Sequence, residues 1–164
     1  MKKLTAFVVE DNIQYAEMIC YVLNQTGLYQ AHTFYSVDSC LQQLDSQPDL
    51  VVLDYHLNTS PHKKNGDYVL KHIQQNNLNA SVVLLSGQDK INIAVNAIKE
   101  GVYDYIIKND YAIEKITLAA KHIAAIKQLL ADNEKLTRKV RRDKLNAALL
   151  LLVLSSLFIA SLCI

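Results

Sequence analysis

Short runs of aliphatic and β-branched residues recur along the first two thirds of the chain, at 4–9, 28–33, 50–53, 82–85 and 102–106. Most are apolar without alternation, as expected of strands buried on both faces. Between them the apolar positions follow a helical period. Ile13, Ala16, Ile19, Cys20 and Leu23 form one stripe that stops at Gly27, and Ser36 reads as the N-cap of a helix carrying Val37, Cys40, Leu41 and Leu44 before Pro48. Further helices are predicted over 66–76 and 89–100, the latter closed by Gly101 as a C-cap. Strict alternation of five strands and five helices predicts an α/β domain, a doubly wound five-stranded parallel sheet.

Nothing after Gly101 obliges the fifth helix to stop, because the last proline is Pro61. In heptads, Ile116, Ile123, Leu130 and Thr137 fall at a and Ala119, Ile126, Asn133 and Val140 at d, which makes six of eight positions apolar. The domain core accounts for the first of these; beyond Leu130, a parallel coiled-coil homodimer and a lone helical stalk both remain open. Residues 147–164 then carry no charge at all. As a helix they rise about 27 Å, close to the roughly 30 Å thickness of bilayer hydrocarbon. The leucines surround such a helix instead of lining one side, which favours a spanning anchor over an interfacial helix. A soluble oligomerisation tail is the alternative. The expected organisation is a domain over 1–130, a basic helical stalk over 131–146 and a C-terminal transmembrane anchor over 147–164.

Charge refines this picture. The net charge of +1 over 164 residues conceals six basic residues (Lys135, Arg138, Lys139, Arg141, Arg142, Lys144) against Asp143 alone within 135–144. Residues 1–134 are left with 11 basic and 15 acidic side chains, a net of −4. An acidic domain followed by a basic collar and an apolar end places the collar on the cytoplasmic side of a membrane. The collar could also neutralise nucleic-acid phosphates, but no groove-reading module accompanies it, so no nucleic-acid partner is expected. Three widely spaced cysteines, Cys20, Cys40 and Cys163, form no disulfide framework or zinc motif; Cys20 and Cys40 suit core positions. The basic start at Lys2 and Lys3 is followed by too short an apolar run for a signal peptide.

In doubly wound sheets, sites form at the carboxyl ends of the strands. Those ends carry Glu10 and Asp11, Asp54, Ser86 and Lys108. Three converging carboxylates repel one another, so a hard divalent cation, best Mg²⁺, is expected among them. A hydroxyl and a lysine facing the same point suit the oxygens of a phosphoryl group, with Asp54 as carboxylate nucleophile. Alternatively, Glu10 and Asp11 cap the first helix, Ser86 caps the fourth and Tyr105 is plain core.

Four blocks, Val8-Val9-Glu10-Asp11-Asn12, Leu50-Val51-Val52-Leu53-Asp54-Tyr55-His56-Leu57, Leu84-Leu85-Ser86-Gly87 and the run from Lys99 to Lys108, stand in order on successive strands. With them the chain resembles the receiver domain of two-component response regulators over about residues 3–130. The resemblance implies a flavodoxin-like receiver fold. It also implies that Asp54 accepts a phosphoryl group from the phosphohistidine of a sensor histidine kinase or histidine phosphotransfer protein. Glu10, Asp11 and Asp54 would hold Mg²⁺ together with the backbone carbonyl of His56. Ser86 would hydrogen-bond the phosphoryl group, Lys108 would pair with it, and Tyr105 would be the aromatic switch reshaping the face made by the fourth helix, fifth strand and fifth helix. Such a protein is a phosphoacceptor that relays its state by protein–protein contact. Its only enzymatic content is Mg²⁺-dependent self-phosphorylation and self-dephosphorylation. A receiver-fold scaffold or docking protein without this chemistry is the second reading.

Two departures from the family pattern stand out. Asn109 follows Lys108 where the family usually has proline, which makes a cis peptide there unfavourable by about 3 kcal/mol. The segment 58–65 is about four residues longer than the family's loop and carries His62, Lys63 and Lys64. The remaining histidines, His32, His72 and His122, share no spacing and read as surface residues.

Overall fold

A computed structural model describes residues 3–57, 66–76, 78–87, 95 and 97–162, with side chains described as far as Leu152. The strands are β1 (Leu4–Val9), β2 (Tyr29–Phe34), β3 (Leu50–Asp54), β4 (Ser81–Ser86) and β5 (Asp104–Ile107). All pair in parallel in the order β2-β1-β3-β4-β5. This is the doubly wound sheet the apolar pattern predicts. Its order reverses between β1 and β3, where a crevice opens beyond the strand ends.

Side-chain alternation divides the core in two. Ala6, Val8, Leu50, Val52, Val83, Leu85 and Ile106 pack on one face with Ala16, Ile19 and Leu23 of helix α1 (Ile13–Gln25) and with Ile116, Ala119 and Ile123. The last three belong to the C-terminal helix, Ala112–Leu162. Phe7, Val9, Val51, Leu53, Val82 and Leu84 pack on the other face with Val37 and Cys40 of α2 (Val37–Leu41) and Val69, Leu70 and Ile73 of α3 (Gly66–Gln75). Every residue of β3 is buried, as a central strand covered on both sides must be. The buried Tyr29 hydroxyl donates to the Ala120 carbonyl at 2.8 Å and ties the edge strand to the C-terminal helix.

Local signals hold at most boundaries. Ser36 caps α2, its hydroxyl accepting the Ser39 N–H at 3.2 Å. Gly27 and Gly101 take positive φ (72° and 82°), a conformation glycine adopts at little cost. The Gly101 N–H donates to the Ile98 carbonyl at 3.0 Å and the Val102 N–H to that of Ala97 at 3.1 Å, closing a helix end. Cys40 is buried and Cys20 half-buried, both free thiols.

Several expectations need correction. Helix α2 ends at Leu41 and a 3₁₀ turn, Leu44–Ser46, follows; it ends at Gln47, the one non-glycine residue at positive φ among those described. Strand β5 begins at Asp104, Val102 being buried in the turn before it. The first helix is capped by Asn12, neither by Glu10 nor by Asp11: its Oδ1 accepts the Tyr15 N–H at 3.1 Å. Of the helix predicted over 89–100, Val95 and 97–99 are helical and the rest lies outside the described residues, as does the long segment 58–65.

The chain divides into two compact units, Met1–Ala124 and Ala125–Ile164. In the second, Leu130, Leu136, Val140, Leu145 and Leu149 are exposed on a continuous helix. Among the described residues no helix is long and apolar enough to cross a membrane, so the expected span over 147–164 finds no support there. Side chains from Val153 onward, and Cys163 with them, lie outside the described residues.

Candidate functional site

Two neighbouring strands bring the three acids together. Glu10 and Asp11 leave β1, and Asp54 ends the neighbouring β3, so the topological reversal itself sets them side by side. One carboxylate oxygen from each of Glu10, Asp11 and Asp54 lies within 4.8 Å of the others, the one such ligand group among the described residues. Glu10 and Asp54 are almost fully buried, at 1% and 3% exposure. An all-oxygen donor set of this charge matches a hard divalent ion such as Mg²⁺.

Lys108 answers that charge from the end of β5. Its Nζ donates to Glu10 Oε2 at 2.6 Å and to Asp54 Oδ2 at 2.7 Å. The lysine is anchored by its own backbone, whose N–H donates to the Ser86 carbonyl at 2.8 Å. Burial opposes the ammonium charge, but the hydrogen bonds and attraction from Asp54 and Glu10 outweigh it and hold the Lys108 pKa above the ordinary lysine value. Burial pushes the Glu10 carboxyl upward; the bond from Lys108 and the Asn12 N–H on Oε1 (3.2 Å) counter this only in part.

Backbone geometry fixes the Asp54 carboxylate as well. Its Oδ1 accepts the His56 N–H at 3.1 Å. Behind it, the Gly66 N–H donates to the Tyr55 carbonyl at 3.2 Å. A Cβ on Gly66 would stand inside contact distance of the Asp54 carbonyl oxygen and 3.2 Å from Leu53 Cγ. Glycine is therefore needed for α3 to start so close to the acid.

The other predicted residues sit at the same sheet edge. Ser86 ends β4 and is fully buried. Tyr105 pairs with Leu84 in register, is half-buried and packs against the second core cluster. Asn109 serves as a turn residue, its Oδ1 accepting the Tyr111 N–H at 3.1 Å, and no cis peptide occurs among the described residues. Sequence reasoning missed Gly66, Asn12 and Tyr15. An Asn before an apolar helical stripe is a readable cap signal. Tyr15, whose ring centre lies 5.2 Å from Lys108 Nζ, had no such signal, because the contact joins segments 93 positions apart.

The site is thus three acids and a lysine at the carboxyl ends of a doubly wound parallel sheet. The response regulator receiver domain pattern matches residues 6–121, and the chain belongs to that family. It is 33% identical over 104 residues to the phosphate regulon transcriptional regulatory protein PhoB of Escherichia coli, covering 62% of this chain and 43% of that one. It is 29% identical over 138 residues to the nitrogen assimilation regulatory protein NtrX of Azorhizobium caulinodans, covering 84% of this chain and 28% of that protein. The chain thus spans less than half the length of these relatives. Among solved structures, the receiver domain of NtrX from Brucella abortus superposes with a TM-score of 0.65 at 29% identity, over 73% of this chain and 98% of that domain. The receiver domain of the Francisella response regulator 1452, at 19% identity, shares the fold with a TM-score of 0.67 over 76% of this chain and 99% of that one.

Proposed function

We propose that Asp54 accepts a phosphoryl group from the phosphohistidine of a sensor histidine kinase or a histidine phosphotransfer protein. A carboxylate oxygen of Asp54 attacks phosphorus, the N–P bond breaks, and the imidazole leaves and takes up a proton. Glu10, Asp11 and Asp54, with the His56 carbonyl, would hold Mg²⁺, which when bound neutralises charge on the transferring phosphoryl oxygens. Lys108 pairs with a phosphoryl oxygen and the Ser86 hydroxyl hydrogen-bonds another. Tyr105 turns inward in response and alters the surface that a partner protein reads. The observation that carries this is the Lys108 ammonium bridging Asp54 and Glu10 at 2.7 and 2.6 Å inside a buried acid cluster.

Incubation of the full chain with a small acyl phosphate and Mg²⁺, followed by intact mass, tests it. One phosphoryl addition on wild type, absent from Asp54→Asn and suppressed by a chelator, is expected. No addition on wild type, or the same addition on Asp54→Asn, would leave a receiver-fold scaffold as the function.

We further propose that the uncharged residues 147–164 tether the domain to the bacterial cytoplasmic membrane with the collar 135–144 on the cytoplasmic side, and that the stalk over 131–146 pairs with a second copy. The lack of charge over 147–164, the basic collar and the heptad positions support this. The full chain should float with liposomes and resist carbonate, whereas a chain ending at Lys144 should not; full-length protein soluble without detergent refutes the tether.

A further inference from the structure

Among the described residues Lys108 makes two hydrogen bonds, to Glu10 and Asp54, and an ammonium has three donors. Its remaining side faces Tyr15, whose ring centre lies 5.2 Å from Nζ, within the range at which a cation is held by an aromatic face. Tyr15 is well placed to act as a fixed wall. It stands in the first turn of α1, its backbone N–H bonded to the Asn12 cap at 3.1 Å, and its ring is packed partly against the core cluster of Ala16 and Ile19. With Glu10, Asn12, Lys108, Asn109 and Asp110 it lines a recess beside the acid cluster. Its hydroxyl is buried with no hydrogen-bond partner among the described residues. An unpaired buried hydroxyl is unfavourable, so what the position uses is the ring.

We propose that Tyr15 is a positioning residue for Lys108, keeping the ammonium over the Asp54 carboxylate through its aromatic face. This rests on the proposed pairing of Lys108 with a phosphoryl group. Glu10 cannot serve Lys108 and a divalent cation equally, and a phosphorylated Asp54 loses charge at its carboxylate oxygens. Both bonds that now orient the lysine weaken in the reacting state. The Tyr15 ring is altered by neither change. Asn109, which stands where the family usually has proline, leaves the backbone after Lys108 less constrained and gives a side-chain wall more to do.

The test compares Tyr15→Phe with Tyr15→Leu in the full chain, alone and combined with Lys108→Met, using a small acyl phosphate and Mg²⁺ and following the phosphorylation rate by intact mass. Tyr15→Phe should stay within about twofold of wild type and melt at the same or a higher temperature, because the ring remains and an unpaired hydroxyl goes. Tyr15→Leu should be about five- to tenfold slower, and in the Lys108→Met background it should add nothing. Equal rates for the Phe and Leu variants, or a Leu loss that persists without Lys108, would overturn the proposal. A parallel NMR measurement of the Lys108 side chain keeps the two questions apart. The ring-current shift of its ε protons should survive in Tyr15→Phe and vanish in Tyr15→Leu even if wild type takes no phosphoryl group. In that case the proposed function fails while the positioning contact stands. A Lys108 shift indifferent to Tyr15→Leu removes the contact whatever the kinetics.

Discussion

Ile123 and Leu136 lie on one helix and come from one apolar pattern, yet the first is 1% exposed and the second 64%. The difference is what faces them. Ile123 packs into the core cluster that includes Val8, Val52 and Leu85, whereas Leu136 belongs to the unit Ala125–Ile164, where the described leucines are exposed along the helix. Apolar periodicity tells where a helix can bury a face, and it is silent on whether a surface is there to receive it. The charged residues teach the same lesson in reverse. Glu10 and Asp54 are buried because β1 and β3 end beside each other and Lys108 meets both, while Glu134 and Arg138 pair on the exposed helix surface at 3.3 Å. Such an exposed pair contributes little, about 0.3–0.5 kcal/mol for helix neighbours.

The contrast can be broken by mutation. Ile123→Ala should lower unfolding free energy by about 2–5 kcal/mol, measured by denaturant titration at constant slope. A loss below about 1 kcal/mol would mean that the helix is not part of the cooperative core. Gly66→Ala should cost about 1–3 kcal/mol, because the atoms its Cβ meets include the Asp54 backbone, which has little room to yield. It should also slow phosphorylation of Asp54, so a variant of unchanged stability and rate would show that α3 does not brace the acid.

A smaller effect appears at high pH. Burial pushes the Cys40 thiol up to about 12 from an ordinary 9.0. The folded state therefore holds this proton more tightly than the unfolded state. The resulting stability is fully present below pH 9.0 and is lost as the pH rises toward about 12. Wild type should lose stability faster than Cys40→Ala across that window, and identical slopes would show the thiol to be accessible. The smallest effect is expected at Leu136→Ala, within about 0.5 kcal/mol for the lone chain. A larger, concentration-dependent loss would show that a second copy covers this face and would sharpen the proposed stalk pairing.

The elements were legible in the sequence wherever one local rule governed them. Ser36, Gly27 and Gly101 mark helix ends through side-chain capping or positive φ, and the strands of the sheet centre declare themselves by unbroken apolar runs. Where rules competed the outcome shifted. Leu44 continues the helical stripe of Val37 and Cys40 but sits in a separate 3₁₀ turn, and Val102 looks like strand but is buried before β5 begins.

Sequence alone determined the alternation of strands and helices, the set of acids, hydroxyl and lysine at the strand ends, and the unequal spread of charge, because each depends on residue type and local spacing. The tertiary structure decided what those residues do to one another. Lys108 bridges Glu10 and Asp54, Gly66 gives way to the Asp54 backbone, and the Tyr15 ring flanks the ammonium because parallel strand pairing and helix packing bring together residues 98, 54, 12 and 93 positions apart. Such contacts arise from chain topology, and no local pattern of polarity encodes them.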